Sequence, residues 1–178
     1  MHVVRQTDRR SLACSALAGL ETGVLGGLAL LAWLALGSLF AGHPAWWGLA
    51  DLGTAAFGRG LSRGGFALAG VVGAALQIFG AGLVGILFGL AMRTGWALRR
   101  VVLLGILFGL GWYYLGYVTL LRRFGLGAHA FTHRRWLLVA HLLFGLILAT
   151  YPRFVASLEA NSQAGGSGTT LLPPEGSR

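Results

Sequence analysis

The amino-acid sequence predicts an all-α transmembrane protein, a four-helix membrane bundle with an interfacial helix between its first and second spans. Three observations carry this prediction. Of 178 residues, 56% are hydrophobic and 11% charged, with a mean hydropathy of +0.72, too apolar for a soluble domain of this size. The stretch Phe66 to Met92 runs 27 residues without a charge, and a bilayer core of about 30 Å needs only about 20 apolar helical residues. Finally, small side chains recur at every fourth position of several apolar runs, which is how helix backbones approach each other in lipid.

Taken in order, residues 1–11 read as a polar N-terminal tail with Arg5, Arg9 and Arg10. Residues 12–155 then read as one membrane domain with spans at about 17–41, 66–92, 101–121 and 136–152. The first apolar run, Leu12 to Ala41, is interrupted only by Glu21 and is too long for the h-region of a signal peptide, so a retained helix is expected. His43 and Pro44 end it, because proline disfavours helical geometry in its predecessor. Gly19, Gly23 and Gly27 give this helix a packing face.

Between Pro44 and Gly65, Trp46 and Trp47 fit an aromatic belt, and Leu49, Leu52 and Ala56 keep helical spacing. A short helix lying in the interface is expected there, with a re-entrant segment lining a cavity as the alternative. The second span carries the stripe Ala69, Gly73, Gln77, Ala81, Gly85 and Gly89, which reads as the packing hub of the bundle. The short connection RTGWALRR, with Arg99 and Arg100, implies an antiparallel turn into the third span.

GILFGL at 85–90 returns unchanged at 105–110, and convergence on one packing solution explains it better than duplication. Trp112, Tyr113 and Tyr117 read as interface anchors closing the third span, followed by the most basic segment, with Arg122, Arg123, Arg134 and Arg135. The fourth span, ended by Pro152, is short for a crossing and invites snorkelling of Arg135 and Arg153 or local thinning. Residues 156–178 become rich in Gly, Ser and Pro and are expected to be disordered.

Fourteen arginines and no lysine against five acidic residues give a net charge of +9. Because the arginines flank apolar runs, the expected partner is a bilayer with anionic headgroups, and nucleic acid is not expected. Four spans place both termini on one side. Seven arginines on the terminal side against six opposite nearly tie, and precedence of the first helix favours cytoplasmic termini.

An acidic group at a helix centre costs about 2.5 to 3.5 kcal/mol on insertion scales, so intramembrane polar residues are site candidates. Those residues are Glu21, Gln77 and His141. Glu21 sits either at the headgroup boundary, the favoured reading, or inside the bundle near the Gly19, Gly23, Gly27 face. His141 shares a face with Gly145 and Ala149, and Gln77 is its natural hydrogen-bond partner because each brings a donor and an acceptor. A sharper reading makes the three residues the lining of one polar pocket.

His129 and His133, four apart, lack the neighbouring acidic or cysteine ligands a metal site needs, and one cysteine, Cys14, allows no intrachain disulfide. No catalytic, cofactor-binding or metal residues are assigned, and no cofactor is expected. Gly80-Ala81-Gly82 is a packing feature and not a phosphate loop, since no strand precedes it and no lysine follows.

PAWW at the start of the interfacial segment, GWYYLGY at the end of the third span, and AHLLFGLIL followed by YPRF together resemble uncharacterised small bacterial four-span integral membrane proteins. The resemblance covers about 110 residues from Pro44 to Phe154; it implies a four-span membrane protein and carries no activity, and the expected location is a bacterial inner membrane. In outline the chain is also similar to small multidrug resistance transporters, whose first-helix carboxylate exchanges protons for cationic substrate. The greater length and large first loop here depart from that pattern. The functional expectation is a non-enzymatic scaffold or accessory subunit packing through small-residue faces, as a homo-oligomer or in a larger complex. A small proton-coupled transporter or channel is the alternative.

Overall fold

A computed structural model describes residues 2–58, 66–92, 95–121 and 134–167 of the chain. Among these residues every element is helical and none is a strand. In order they are α1 (His2–Phe40), α2 (Trp47–Phe57), α3 (Phe66–Ala91), α4 (Leu98–Tyr113) with a π-helical extension (Tyr114–Leu121), α5 (Arg134–Leu148) and α6 (Tyr151–Ser167). Four stretches are long and apolar enough to cross a membrane: Leu12–Phe40, Leu68–Ala91, Leu98–Gly116 and Arg135–Ala160. Their outward faces remain apolar, with Leu28, Leu36, Phe79, Leu87, Leu103 and Leu107 all exposed, a surface that a soluble monomer rarely presents.

Two tight helix pairs form the bundle, and glycine sets both. Antiparallel α1 and α3 meet backbone to backbone. A Cβ placed on Gly23 would fall 2.8 Å from Gly85 Cα, and one on Gly27 would fall 2.8 Å from Ala81 Cβ. On α3, Gly85 and Gly89 lie directly on the Gly19 and Ser15 carbonyls of α1. The second pair, α4 with α5, repeats the device. Gly105 lies on the Gly145 carbonyl, Gly109 on the His141 carbonyl, and a Cβ on Gly145 would stand 2.9 Å from Ile106 Cα. Such approach exposes backbone dipoles and Cα hydrogens to the neighbouring helix, where dispersion replaces the hydrophobic effect as the attractive term.

Large side chains join the two pairs. Phe88 of α3 meets Phe108 of α4 edge to face at 5.3 Å and Tyr151 at 5.9 Å, while Gly80 leaves room for the Trp112 ring, whose Cζ2 would stand 2.6 Å from a Cβ there. Phe88 and Phe108 hold the same place in the two GILFGL copies, so the repeated hexapeptide supplies a zipper glycine on one side and an interlocking phenylalanine on another. On the other side of the bundle Gly26 of α1 accommodates Phe144 of α5. Phe88, Phe144, Leu30 and Leu148 are completely buried, and Tyr113 nearly so.

The short helix expected between the first two apolar helices is α2, and it lies directly on the N-terminal third of α3. Gly53 sits on the Ala69 carbonyl, Gly73 on the Leu49 carbonyl, and a Cβ on Gly70 would stand 3.2 Å from Trp46 Cβ. The α3 stripe is thus divided. Ala69 and Gly73 receive α2, whereas Ala81, Gly85 and Gly89 receive α1. Between α1 and α2 the chain reverses through Gly42, whose φ of 76° is open to glycine at no steric cost.

Three features differ from the sequence reading. Helix α1 begins at His2, within the stretch read as a polar tail. The fourth apolar stretch does not stop at Pro152. The proline cannot donate to the preceding turn, so the helix breaks at Thr150 and restarts as α6, extending the apolar stretch to Ala160 and relieving the shortness. The Thr150 hydroxyl donates to the Ile147 carbonyl at 2.7 Å, and the Tyr151 hydroxyl reaches the Gly89 carbonyl at 3.4 Å, fixing the bend against α3. Helix α6 itself runs to Ser167, into the segment read as a disordered tail, and residues 168–178 lie outside the described residues.

Candidate intramembrane polar site

Glu21, Gln77 and His141 occupy three different environments. Glu21 lies two residues from both Gly19 and Gly23, and at about 100° per residue that turns it away from their packed face. It is exposed on the outer side of α1 and not inside the bundle beside the glycine face. Gln77 stands on the α3 stripe between the part that receives α2 and the part that receives α1. Its backbone carbonyl is 4.0 Å from a Cβ built on Gly27. The side-chain Nε2 is buried and has no hydrogen-bond partner. His141 is buried on α5, with its own carbonyl against Gly109 and its ring edge to face with Tyr113 at 5.4 Å.

The hydrogen bond expected between Gln77 and His141 is not formed. His141 Nδ1 instead lies 2.9 Å from the Leu137 carbonyl one turn earlier on its own helix. A carbonyl only accepts, so Nδ1 is the donor in this contact. The physical reason for the separation is the pairing of helices. Gln77 belongs to the α1/α3 pair and His141 to the α4/α5 pair, and each helix presents glycine to its own partner.

The interface anchors divide as well. Trp46 is exposed, and Trp47 is half-buried and stacks on His43 at 4.6 Å. Arg99, Arg100 and Arg135 are exposed, consistent with headgroup contact. Tyr113 is a core residue at 2% exposure, packed edge to face on His141 within the α4/α5 pair, and Trp112 packs on Gly80 at the joint between the pairs. Arg122 and Arg123, with His129 and His133, lie outside the described residues, as do the side chains of Tyr117 and Arg134.

A polar arrangement that sequence reasoning missed joins α1 to α5. The indole Nε1 of Trp33 donates to the Trp136 carbonyl at 3.0 Å, and Nε1 of Trp136 donates to the Trp33 carbonyl at 3.2 Å. Their rings stack at 4.5 Å with 21° between planes, and Gly37 leaves space for the Trp136 ring. Each indole N–H thereby finds an acceptor in surroundings without water. The available signal was Trp33 itself, a donor inside an apolar helix one turn before a glycine. Thr22, fully buried, solves the same problem locally by donating to the Ala18 carbonyl at 2.9 Å and the Gly19 carbonyl at 3.0 Å.

No group of three or more histidine, cysteine, aspartate or glutamate side chains gathers among the described residues. The polar groups therefore offer an unpartnered amide donor at Gln77, a buried imidazole bonded to its own helix at His141 and an outward carboxylate at Glu21, in three separate places. Comparisons with protein families, with curated proteins and with solved structures return no match for this chain.

Proposed function

We propose that the chain is a multi-pass protein of a bacterial inner membrane, with cytoplasmic termini, acting as a non-enzymatic scaffold or accessory subunit. The observation that carries this reading is the use of the small-residue faces. Gly19, Gly23 and Gly27 close on α3, and Gly105 and Gly109 close on α5, giving a unit with fixed helix spacing and outward faces of leucine and phenylalanine. A rigid body with such faces suits lateral association with itself or a larger complex, and the exposed Arg99, Arg100, Arg135 and Arg153 suit anionic headgroups at its margins. Extraction of the native membrane into polymer nanodiscs, followed by affinity purification, tests the reading. A stoichiometric membrane partner or self-assembly supports it, and a strictly single, partnerless chain sinks it.

One observation favours the transporter alternative: Gln77 Nε2 is buried without a partner, as a donor awaiting a transient ligand or water. Proton or cation flux into liposomes, compared between the wild type and the Gln77→Leu and Glu21→Gln variants, decides it. Flux lost on either substitution supports transport, and flux absent from the wild type removes it.

A further inference from the structure

Two outward helix faces match each other in depth, spacing and charge. Gly26 of α1 lies against Phe144, with the Phe144 carbonyl 3.5 Å from a Cβ built there, and the next residue, Gly145, lies on Gly105 of α4. Gly26 and Gly105 therefore stand at one level. Glu21 precedes Gly26 by five residues, and Arg100 precedes Gly105 by five. Helices α1 and α4 run in the same direction, each antiparallel to α5 in its contacts, so both charges stand about 7.5 Å further towards the chain's termini. Glu21, Arg99 and Arg100 are all exposed, and no ion pair among the described residues engages them.

From that common level the two faces stay in step. On α1 the exposed positions continue as Leu25, Leu28, Ala32 and Leu36; on α4 and its extension they continue as Leu103, Leu107, Gly111 and Leu115. Laid side by side in parallel with Glu21 at Arg100, Leu28 meets Leu107, Ala32 meets Gly111 and Leu36 meets Leu115. A Cβ on Gly111 would meet nothing within 4 Å, so this glycine, unlike Gly105 and Gly109, serves no close contact among the described residues. Within the bundle α1 packs on α3 and α5 while α4 packs on α5. The faces thus belong to different sides of one molecule.

We propose that a second copy of this chain docks its α4 face on the α1 face of the first, pairing Glu21 with Arg99 and Arg100 of the neighbour. The charge complementarity selects this occupant over lipid, because a lone carboxylate near the edge of the hydrocarbon is costly and an arginine at equal depth offsets that cost. Contact between two different faces is heterologous, so copies sharing one membrane orientation assemble into a ring or a row. The inference rests on the scaffold reading and names its partner.

Cysteine pairing in native membranes tests it, in a Cys14→Ser background. Oxidation of co-expressed Leu28→Cys and Leu107→Cys chains yields a covalent dimer, the double variant yields a ladder of multimers, and neither single variant alone yields a dimer. Glu21→Arg lowers the adduct about tenfold, and adding Arg99→Glu with Arg100→Glu restores it. Leu28 and Leu107 are exposed, and an unchanged circular-dichroism spectrum verifies that each variant folds. Absence of the mixed dimer, dimers from a single variant, or an adduct indifferent to Glu21→Arg overturns the proposal. Loss of the adduct while a foreign partner still co-purifies leaves the scaffold reading standing with another face.

Discussion

Gly85→Ala tests the architecture most directly, because the added methyl enters a contact between two backbones. A Cβ there would stand 2.6 Å from Gly23 Cα and 2.9 Å from Gly23 N, and nearer still to the Gly19 carbonyl oxygen. Carbon atoms pack best at about 3.5 to 4.0 Å, so α1 and α3 must part by about 1 Å, which also forfeits a quarter to a half of the attraction at each neighbouring zipper contact. Overpacking of this kind costs about 1 to 3 kcal/mol. Alanine recovers up to about 1 kcal/mol through helix propensity, less where the unfolded chain stays helical in detergent. The net expectation is a loss of about 1 to 2 kcal/mol. Gly111→Ala is the control, since its methyl meets nothing within 4 Å and only the propensity gain applies. The two alanines should therefore differ by about 2 kcal/mol, on the order of a thirtyfold change in the folded to unfolded ratio. Titration from mild detergent into sodium dodecyl sulfate, followed by near-ultraviolet circular dichroism, measures the difference. If Gly85→Ala is as stable as Gly111→Ala, the backbone zipper does not hold the pair together.

Three further outcomes follow from the side-chain contacts. A double-mutant cycle of Trp33→Phe and Trp136→Phe in the same denaturation assay should give a coupling of about 1 to 2 kcal/mol from the reciprocal hydrogen bonds, and additivity within about 0.5 kcal/mol would contradict the clasp. Gln77→Leu removes a buried donor that has no partner and should leave stability unchanged or raise it by about 1 kcal/mol; a clear loss would mean that the amide is bonded. Phe88→Ala, at a fully buried ring touching Phe108 and Tyr151, should cost about 3 to 5 kcal/mol and broaden the near-ultraviolet spectrum, whereas a loss below about 1 kcal/mol would show that the helix pairs do not depend on this ring.

The apolar helices were legible because hydropathy and length act within one segment, and the packing faces because spacing of four is local to a helix. Which face meets which was not legible. Gly19, Gly23 and Gly27 offer the same surface to Ala81, Gly85 and Gly89 as they would to Gly105 and Gly109, and only the three-dimensional order of the helices selects α3. The anticipated bond between Gln77 and His141 failed for that reason: depth and chemistry allowed it, but the residues went to different pairs. The end of the fourth apolar stretch was misplaced by reading Pro152 as a terminus. A proline also starts helices, and the residues after it, with Phe154, Val155 and Leu158 packed on the core, keep helical spacing through the break. The tryptophan clasp was invisible because its acceptors are backbone carbonyls, which every sequence possesses everywhere.

The divided stripe on α3 explains why one helix carries five small residues at this spacing when a single glycine zipper needs three. A helix that meets one partner along its whole length can hold a single crossing angle, but α3 meets α2 over Ala69 and Gly73 and α1 over Ala81, Gly85 and Gly89, and a stripe of spacing four winds about 200° round the helix over that length. The winding stripe thus turns from one partner to the other partway, and Gln77 lies where it does. A small residue there would leave a void between the two contacts. An unbranched side chain of intermediate length fills the changeover, and its amide brings the one buried, unpartnered polar atom found among the described residues. The sequence position that first looked like an interruption of a packing face is thus the point at which the face passes from one partner to the next.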